Sequence, residues 1–385
     1  MKIEPECESV LRGDAGQAMA LAMKTLVAYG EAFGAKRLVP ITSGHLAGSF
    51  GISKFRAYYK ILDKLASEGA RVKVKTTVNP RPGYEQNILA RLVFGKQKKL
   101  ERGLDAIGIT PNYSCVCYMD ANVPKFGDCL GWAESSAVQY ANSVLGARTN
   151  RNSLVVDLCS AVTGVTPEFG YLLDENRRGQ VLVKLKIDRM DANALGFIIG
   201  RTVVNRVPVI EHYDFSRIEL KNMGGAMAAS GAVALFHVEG LTPEAPDMKT
   251  VFDGEPEETI TITQKDLDGL CFGQPEDAKM VVFGCPQLTL DEAVGLAAHF
   301  EGKRVKLRTW FCMVPNDRDR FEKTKHYIAV RDAGVEVNSY CPLAALSIYF
   351  GPKPILTSSG KLYYYLEGTE YGNQENCLHA CGVMP

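Results

Sequence analysis

The feature that most restricts this chain is a rhythm. Short apolar runs alternate with helix-patterned segments along most of its length. Runs at 154–158, 181–187, 203–210, 233–238, 279–283 and 305–307 read as strands, and RVKVKTTV at 71–78 alternates as a half-buried strand does. AGQAMALAMKTLVAYGEAFGA (15–35) and FRAYYKILDKLASEG (55–69) have helical spacing, with Asp14 and Gln17 as a capping pair for the first. Alternation of this kind predicts an α/β architecture, with parallel strands covered by helices. The stretch GLTPEAPDMKTVFDGEPEET (240–259) breaks the rhythm with proline and acid. It reads as a connection between an N-terminal unit over 1–255 and a compact C-terminal unit over 260–385.

Within the C-terminal unit the chain does one unusual thing twice. In VVFGCPQLTLDEAVGLAAHF (281–300) and in VEVNSYCPLAALSIYF (335–350), a cysteine followed by proline stands where a strand should turn into a helix. Proline suits a first helical turn. A cysteine at a helix N-terminus is expected to have a lowered pKa, making it a nucleophile or a soft-metal ligand. A third cysteine-bearing loop, TPNYSCVCYMDANVPKFGDC (110–129), holds Cys115, Cys117 and Cys129. Three ligands from three loops would make an iron–sulfur site with an open position. Spacing alone favours buried structural cysteines and also leaves zinc or a nucleophilic cysteine open.

Composition excludes some partners. Lys plus Arg equals Asp plus Glu, 44 of each, so no net field favours nucleic acid or an anionic membrane. The basic run GKQKK at 95–99 reads as a solvated face. The N-terminus MKIEPECESVLRGD lacks the character of a signal peptide, and no apolar run approaches the ~20 residues of a membrane span. A cytoplasmic protein with reduced thiols is expected, although eleven cysteines is a high count.

Several polar segments suit a small anionic ligand. GWAESSAVQYANSVLGARTNR (131–151) places Glu134 and Ser135 near a helix start and ends on Arg148, Asn150 and Arg151. Arginine grips carboxylates in a fork, and an amphipathic helix with a charged exit is the competing reading. TSSGK (357–361), with Ser358, Ser359 and Lys361, is a turn whose N–H groups suit a carboxylate or phosphate. His45 in TSGH and Asn79 in TTVNP end short strands, where α/β ligands often sit. The glycine-rich NMGGAMAASG (222–231) lacks dinucleotide or P-loop spacing and reads as close helix packing.

Taken together, ESSAVQYANSVLGARTNR, ITSGHLAG, VKVKTTVNP, FGCP and TSSGK resemble the aconitase X family, in order along nearly the whole chain. The resemblance implies an aconitase-like fold with two lobes around a central cleft and hydro-lyase activity. It also implies an iron–sulfur cluster, 4Fe-4S rather than 2Fe-2S. Carried over, the cluster ligands are Cys115, Cys285 and Cys341. Some members of about this length are large subunits whose small partner chain supplies a swivelling lid, and this chain resembles them. There are departures. Ser114-Cys115-Val116-Cys117-Tyr118 replaces the usual first-ligand pattern, which makes Cys117 an alternative ligand. Gln287 stands where His usually follows the G-C-P turn, and Tyr364-Tyr365 where His-Tyr is common.

The implied reaction is dehydration of a small hydroxy acid, either (R)-5-phosphomevalonate or cis-3-hydroxy-L-proline. Arg148 and Arg151 are expected to hold the carboxylate, with His45, Asn79, Glu134, Ser135, Asn150 and Ser358 lining the substrate site. Ser359 is the expected base, with Lys361 as its activating cation; Lys361, Lys54 and the TSGH turn would receive a phosphate. The alternatives are a cluster-free binding module that kept the fold, and a nicotinamide oxidoreductase. The second is disfavoured because no GxGxxG follows a strand.

Overall fold

A computed structural model describes residues 1–270, 277–347 and 351–384. Among these residues, three parallel sheets organise the fold. In the first, Ser43–Leu46 runs between Lys75–Val78 and Leu130–Trp132. In the second, the order is His237–Val238, Pro208–Ile210, Val181–Lys186, Glu258–Thr263. The third orders Glu336–Asn338, Arg308–Met313, Met280–Leu288, Ile355–Thr357 and Thr369–Tyr371. A small antiparallel pair, Leu38–Pro40 with Val165–Pro167, completes the set.

The third sheet winds outward in both directions from its centre. The chain moves from Met280–Leu288 to one edge, then returns to Ile355–Thr357 on the other side. The switch of direction opens a crevice at the carboxyl ends of these two strands, the usual ligand position in open α/β sheets. Cys285 lies near the end of one strand, and Ser358 and Ser359 follow the other.

The first sheet is packed by helices Gln17–Ala32, Arg56–Ser67, Gln97–Ala106 and Leu154–Thr163, whose apolar faces join one buried cluster. The last of these was expected as a strand. From Val156 to Thr163 it is buried on all sides, so no periodicity marks it. The Ser153 hydroxyl accepts the Val156 N–H and starts it as a helix. The helix Gln17–Ala32 begins after Gly16 rather than Asp14. Asp14 accepts the Ser9 hydroxyl instead, and Glu68 from another helix takes the Ala18 N–H at 2.6 Å.

Over the second sheet, helices Ala192–Val203 and Arg217–Gly231 cross at very short range. A Cβ on Gly231 would lie 1.9 Å from the Gly200 carbonyl oxygen, and one on Gly196 2.0 Å from that of Met223. The glycine-rich segment is therefore a packing device, as its composition suggested. The expected linker at 240–259 is folded: Ala245, Val251 and Phe252 are buried with Val209. Glu258–Thr263 pairs with Val181–Lys186 over its full length, so this stretch belongs to the preceding unit and the boundary falls after it.

The turn at Cys285 also differs from expectation. Cys285 and Pro286 lie inside the strand Met280–Leu288, at a break in its register. The helix starts only at Leu290, where Thr289 and Glu292 form a capping box. At Cys341 the expectation holds: it precedes the short helix Pro342–Ala345, with proline at its start. Among the described residues, no helix is long and apolar enough to cross a membrane.

Candidate active site

The carboxyl ends of the first and third sheets face each other, and the three cysteine loops lie where they meet. The Ser114 N–H donates to the Val78 carbonyl at 3.0 Å, which hangs the Cys115 loop on the end of a first-sheet strand. The Cys341 N–H donates across to the Arg81 carbonyl at 2.8 Å. The Cys115 N–H donates to the Gln287 side-chain oxygen at 3.3 Å, two residues beyond Cys285.

Cys115, Cys285 and Cys341 are electrostatic neighbours. Burial pushes the Cys115 thiol up to about 12, and the Cys341 sulfur adds to the shift. Burial likewise raises the Cys285 thiol, reinforced by Cys341 and Cys115. The lowered pKa expected at a helix N-terminus is thus overturned. At Cys341 the Ala344 N–H pulls downward, but burial outweighs it. Among the described residues, no three His, Cys, Asp or Glu side chains gather tightly enough to hold a single metal ion. Cys117, the alternative ligand, is buried and bonded to Thr77. Spacing gave no hint of a fourth thiol, Cys312, fully buried on the strand Arg308–Met313 and within electrostatic reach of all three.

Beside the sulfurs lies a buried ion pair. Lys361 Nζ sits 2.5 Å from Glu134 Oε1 and 2.9 Å from Ser136 Oγ. Glu134 caps the helix Ser135–Ser143: its Oε2 accepts the Ala137 N–H at 2.7 Å and the Ser136 hydroxyl at 2.8 Å, and Ser135 donates to Oε1 at 3.3 Å. Burial alone would raise the Glu134 carboxyl, but Lys361 and these donors hold it well below the usual carboxylate range. Burial alone would lower the Lys361 ammonium; Glu134 and the Cys285 and Cys115 sulfurs raise it instead. The site therefore holds a fixed cation among three thiols.

His45 is fully buried, with Nδ1 2.8 Å from Thr77 Oγ1 and Nε2 2.8 Å from Asn79 Oδ1. Burial pushes its pKa down to about 4, so the ring is neutral. The Asn79 oxygen only accepts, which makes Nε2 the donor and Nδ1 the acceptor of the Thr77 hydroxyl. The half-buried Asn79 amide, at the end of its strand, is thereby oriented.

Other expected residues are committed elsewhere. The Arg148 guanidinium donates to the Leu172 carbonyl at 3.0 Å and pairs with Asp174, with Glu244 at 3.9 Å. Asn150 bonds the Phe169 carbonyl and the Tyr171 N–H, both at 2.8 Å. Both brace the junction with the second sheet's unit. Arg151 is exposed and donates to the Ala228 carbonyl and, at 3.0 Å, to Tyr365 on the helix that carries Lys361. Lys54 is exposed in the turn Ser53–Phe55.

Ser359, the expected base, stands at the N-cap of the helix that carries Lys361. Its hydroxyl donates to the Cys285 carbonyl and accepts the Leu362 N–H at 3.0 Å, capping the helix Gly360–Tyr365. The hydroxyl ties the Cys285 turn to the helix bearing Lys361. Ser358, Ser359 and Cys285 also line a cavity of about 500 Å³ in the crevice of the third sheet, opposite Asp191 and Asn193.

Residues 1–175, 179–271 and 278–382 match, respectively, the first, second and third domains of aconitase X. The phosphomevalonate dehydratase large subunit of Methanosarcina mazei is 34% identical, over 98% of this chain and 96% of its own. That of Thermococcus kodakarensis is 38% identical over 80% of each. The cis-3-hydroxy-L-proline dehydratase of Pseudomonas aeruginosa is 30% identical over 94% of this chain, but this spans only 66% of that longer protein. The crystal structure of Thermococcus kodakaraensis aconitase X in its holo form superposes with a TM-score of 0.88 at 32% identity, covering 98% of this chain and 99% of that one. With all three of its domains matched and relatives at this identity along the whole length, the chain belongs to the aconitase X family of dehydratases.

Proposed function

We propose that this chain is the large subunit of a cytoplasmic heteromeric hydro-lyase, with an iron–sulfur cluster held by Cys115, Cys285 and Cys341. The observation that supports it most is the gathering of these three thiols around the buried Lys361 at the meeting of two sheets' carboxyl ends. The donor set fits: soft thiolates select iron–sulfur clusters, and a nearby fixed cation offsets the charge of thiolates in a dry site. Three thiolates on a four-iron cluster leave one iron without a protein ligand. When bound, such an iron supplies Lewis-acid stabilisation of the substrate's hydroxyl and carboxylate.

The chain's own residues prepare the pocket for that chemistry. Lys361, kept charged by Glu134, places a permanent positive charge where enolate-like charge develops during proton removal. Asn79, fixed by neutral His45, keeps its amide N–H groups for a substrate oxygen. Ser358 lines the crevice beside the Cys285 turn and Ser359 holds that turn in place. Arg151, leaning on Tyr365 at the rim, is the remaining candidate for a substrate carboxylate.

Between the two substrates, (R)-5-phosphomevalonate is favoured. The relatives named for it match along nearly their whole length, whereas the hydroxyproline enzymes are longer single chains. The test is anaerobic co-expression with the small-subunit homologue of the same genome, followed by assay of both compounds. Water loss from phosphomevalonate alone is expected. Turnover of hydroxyproline alone would reassign the substrate, and an iron-free, inactive preparation would return the chain to a binding module.

A further inference from the structure

Gln287 is where the three family domains touch one another. Its side chain is 1% exposed. Its Oε1 accepts the Cys115 N–H at 3.3 Å, from the first domain. Its Nε2 donates to the Ser339 carbonyl at 3.0 Å, two residues before Cys341. Its own backbone carbonyl accepts Lys221 Nζ at 3.0 Å, from the second domain. Lys221 is itself fully buried and paired with Glu292 at 2.5 Å, and Asn222 donates to the other Glu292 oxygen at 3.1 Å. Gln287 stands two residues after Cys285. One amide thus connects the loops of all three sulfurs, while its backbone is anchored by a charge pair that reaches into a different domain.

The chemistry requires a neutral group with one donor and one acceptor. The Cys115 N–H needs an acceptor and the Ser339 carbonyl needs a donor, and a primary amide supplies both. A carboxylate would keep the first bond, lose the second and add negative charge near the thiols. An apolar side chain of the same length would lose both and leave the buried N–H and carbonyl unsatisfied.

We propose that Gln287 is a positioning residue that sets the mutual placement of Cys115 and Cys341 about Cys285, and so governs how firmly the site retains its iron. The claim rests on the ligand assignment above, but one arm of its test does not need the metal. In cluster-free protein, the rate at which each cysteine reacts with an alkylating reagent is read by mass spectrometry. Gln287→Met, which keeps the volume, is expected to speed modification of both Cys115 and Cys341. Gln287→Glu is expected to speed Cys341 but not Cys115, because only the Ser339 tie is lost and the added negative charge beside Cys115 disfavours its thiolate. Cys159, buried in a distant cluster, should be unchanged in both.

After anaerobic reconstitution, loss of iron to a chelator should be about 10–100-fold faster in Gln287→Met, the range expected when a group supporting a metal ligand is removed. Wild-type alkylation at Cys115 and Cys341 in both variants would overturn the proposal, as would a wild-type rate of iron loss in Gln287→Met. If the unaltered chain takes up no iron, the cluster assignment fails, while the alkylation pattern still decides the role of Gln287. If Gln287→Met does not fold, Gln287→Glu decides alone, through the unequal effect on the two cysteines.

Discussion

At the residue scale the account turns on charge placed out of water. Glu134 and Lys361 are both nearly unexposed, and each is the other's compensation. Removing one leaves a buried charge alone, which typically costs about 3–5 kcal/mol. Lys361→Met and Glu134→Gln are each expected to lose stability of that order in urea unfolding. The double variant should lose much less than the sum, because the stranded charge is gone. Glu134's depressed pKa adds stability that is present above the ordinary carboxylate range and lost as pH falls below it.

His45 works with a different sign. Its folded pKa, about 4, lies below its ordinary value of 6.5, so the unfolded chain binds the extra proton between those limits. Stability should be unaffected by this group above pH 6.5 and should fall by roughly 3 kcal/mol on descent to pH 4. Denaturant midpoints across this window check it, with His45→Asn expected to flatten the slope. Ser359→Ala should cost about 1 kcal/mol for the lost cap, with turnover within tenfold of the native enzyme. A loss of about 100-fold or more would instead make its hydroxyl the proton acceptor.

These side chains were legible in the sequence to unequal degrees. Lys361 and Glu134 stood out as polar residues in turns, but nothing in a string of letters pairs residues 227 positions apart. Arg148 and Arg151 look alike in sequence, yet Arg148 is held by Asp174 and Glu244 while Arg151 stays at the rim. Gln287 drew notice only as a departure from a pattern, because its importance lies in three partners from distant segments.

At the scale of elements, the parallel rhythm was readable and its boundaries were not. The run at 181–187 became the strand Val181–Lys186, whereas 154–158 became the first half of a helix. The strand keeps partial alternation, with Val181 and Val183 buried and Lys184 exposed, whereas the helix is buried on every side from Val156 to Thr163 and leaves no helical period to read. The glycine-rich helix shows the opposite case, where composition pointed to close packing. Gly231→Ala would drive a Cβ into the Gly200 carbonyl at 1.9 Å, a backbone contact that no side-chain rotation relieves. It is expected to destabilise the protein by about 1–3 kcal/mol or more, lowering the urea midpoint without changing the strand content seen by circular dichroism.

For the whole molecule, three sheets from three matched domains contribute to one site: the first supplies Cys115 and Glu134, the third Cys285, Cys341 and Lys361, and the second braces them through Lys221. The most direct test of this account is iron and acid-labile sulfide analysis of anaerobically purified protein, alongside single Cys→Ser variants at 115, 285 and 341. About four iron and four sulfide per chain are expected in the unaltered protein, with loss of most of both in each variant and no change for Cys159→Ser. Full iron in the three variants, or none in the unaltered chain, would contradict it.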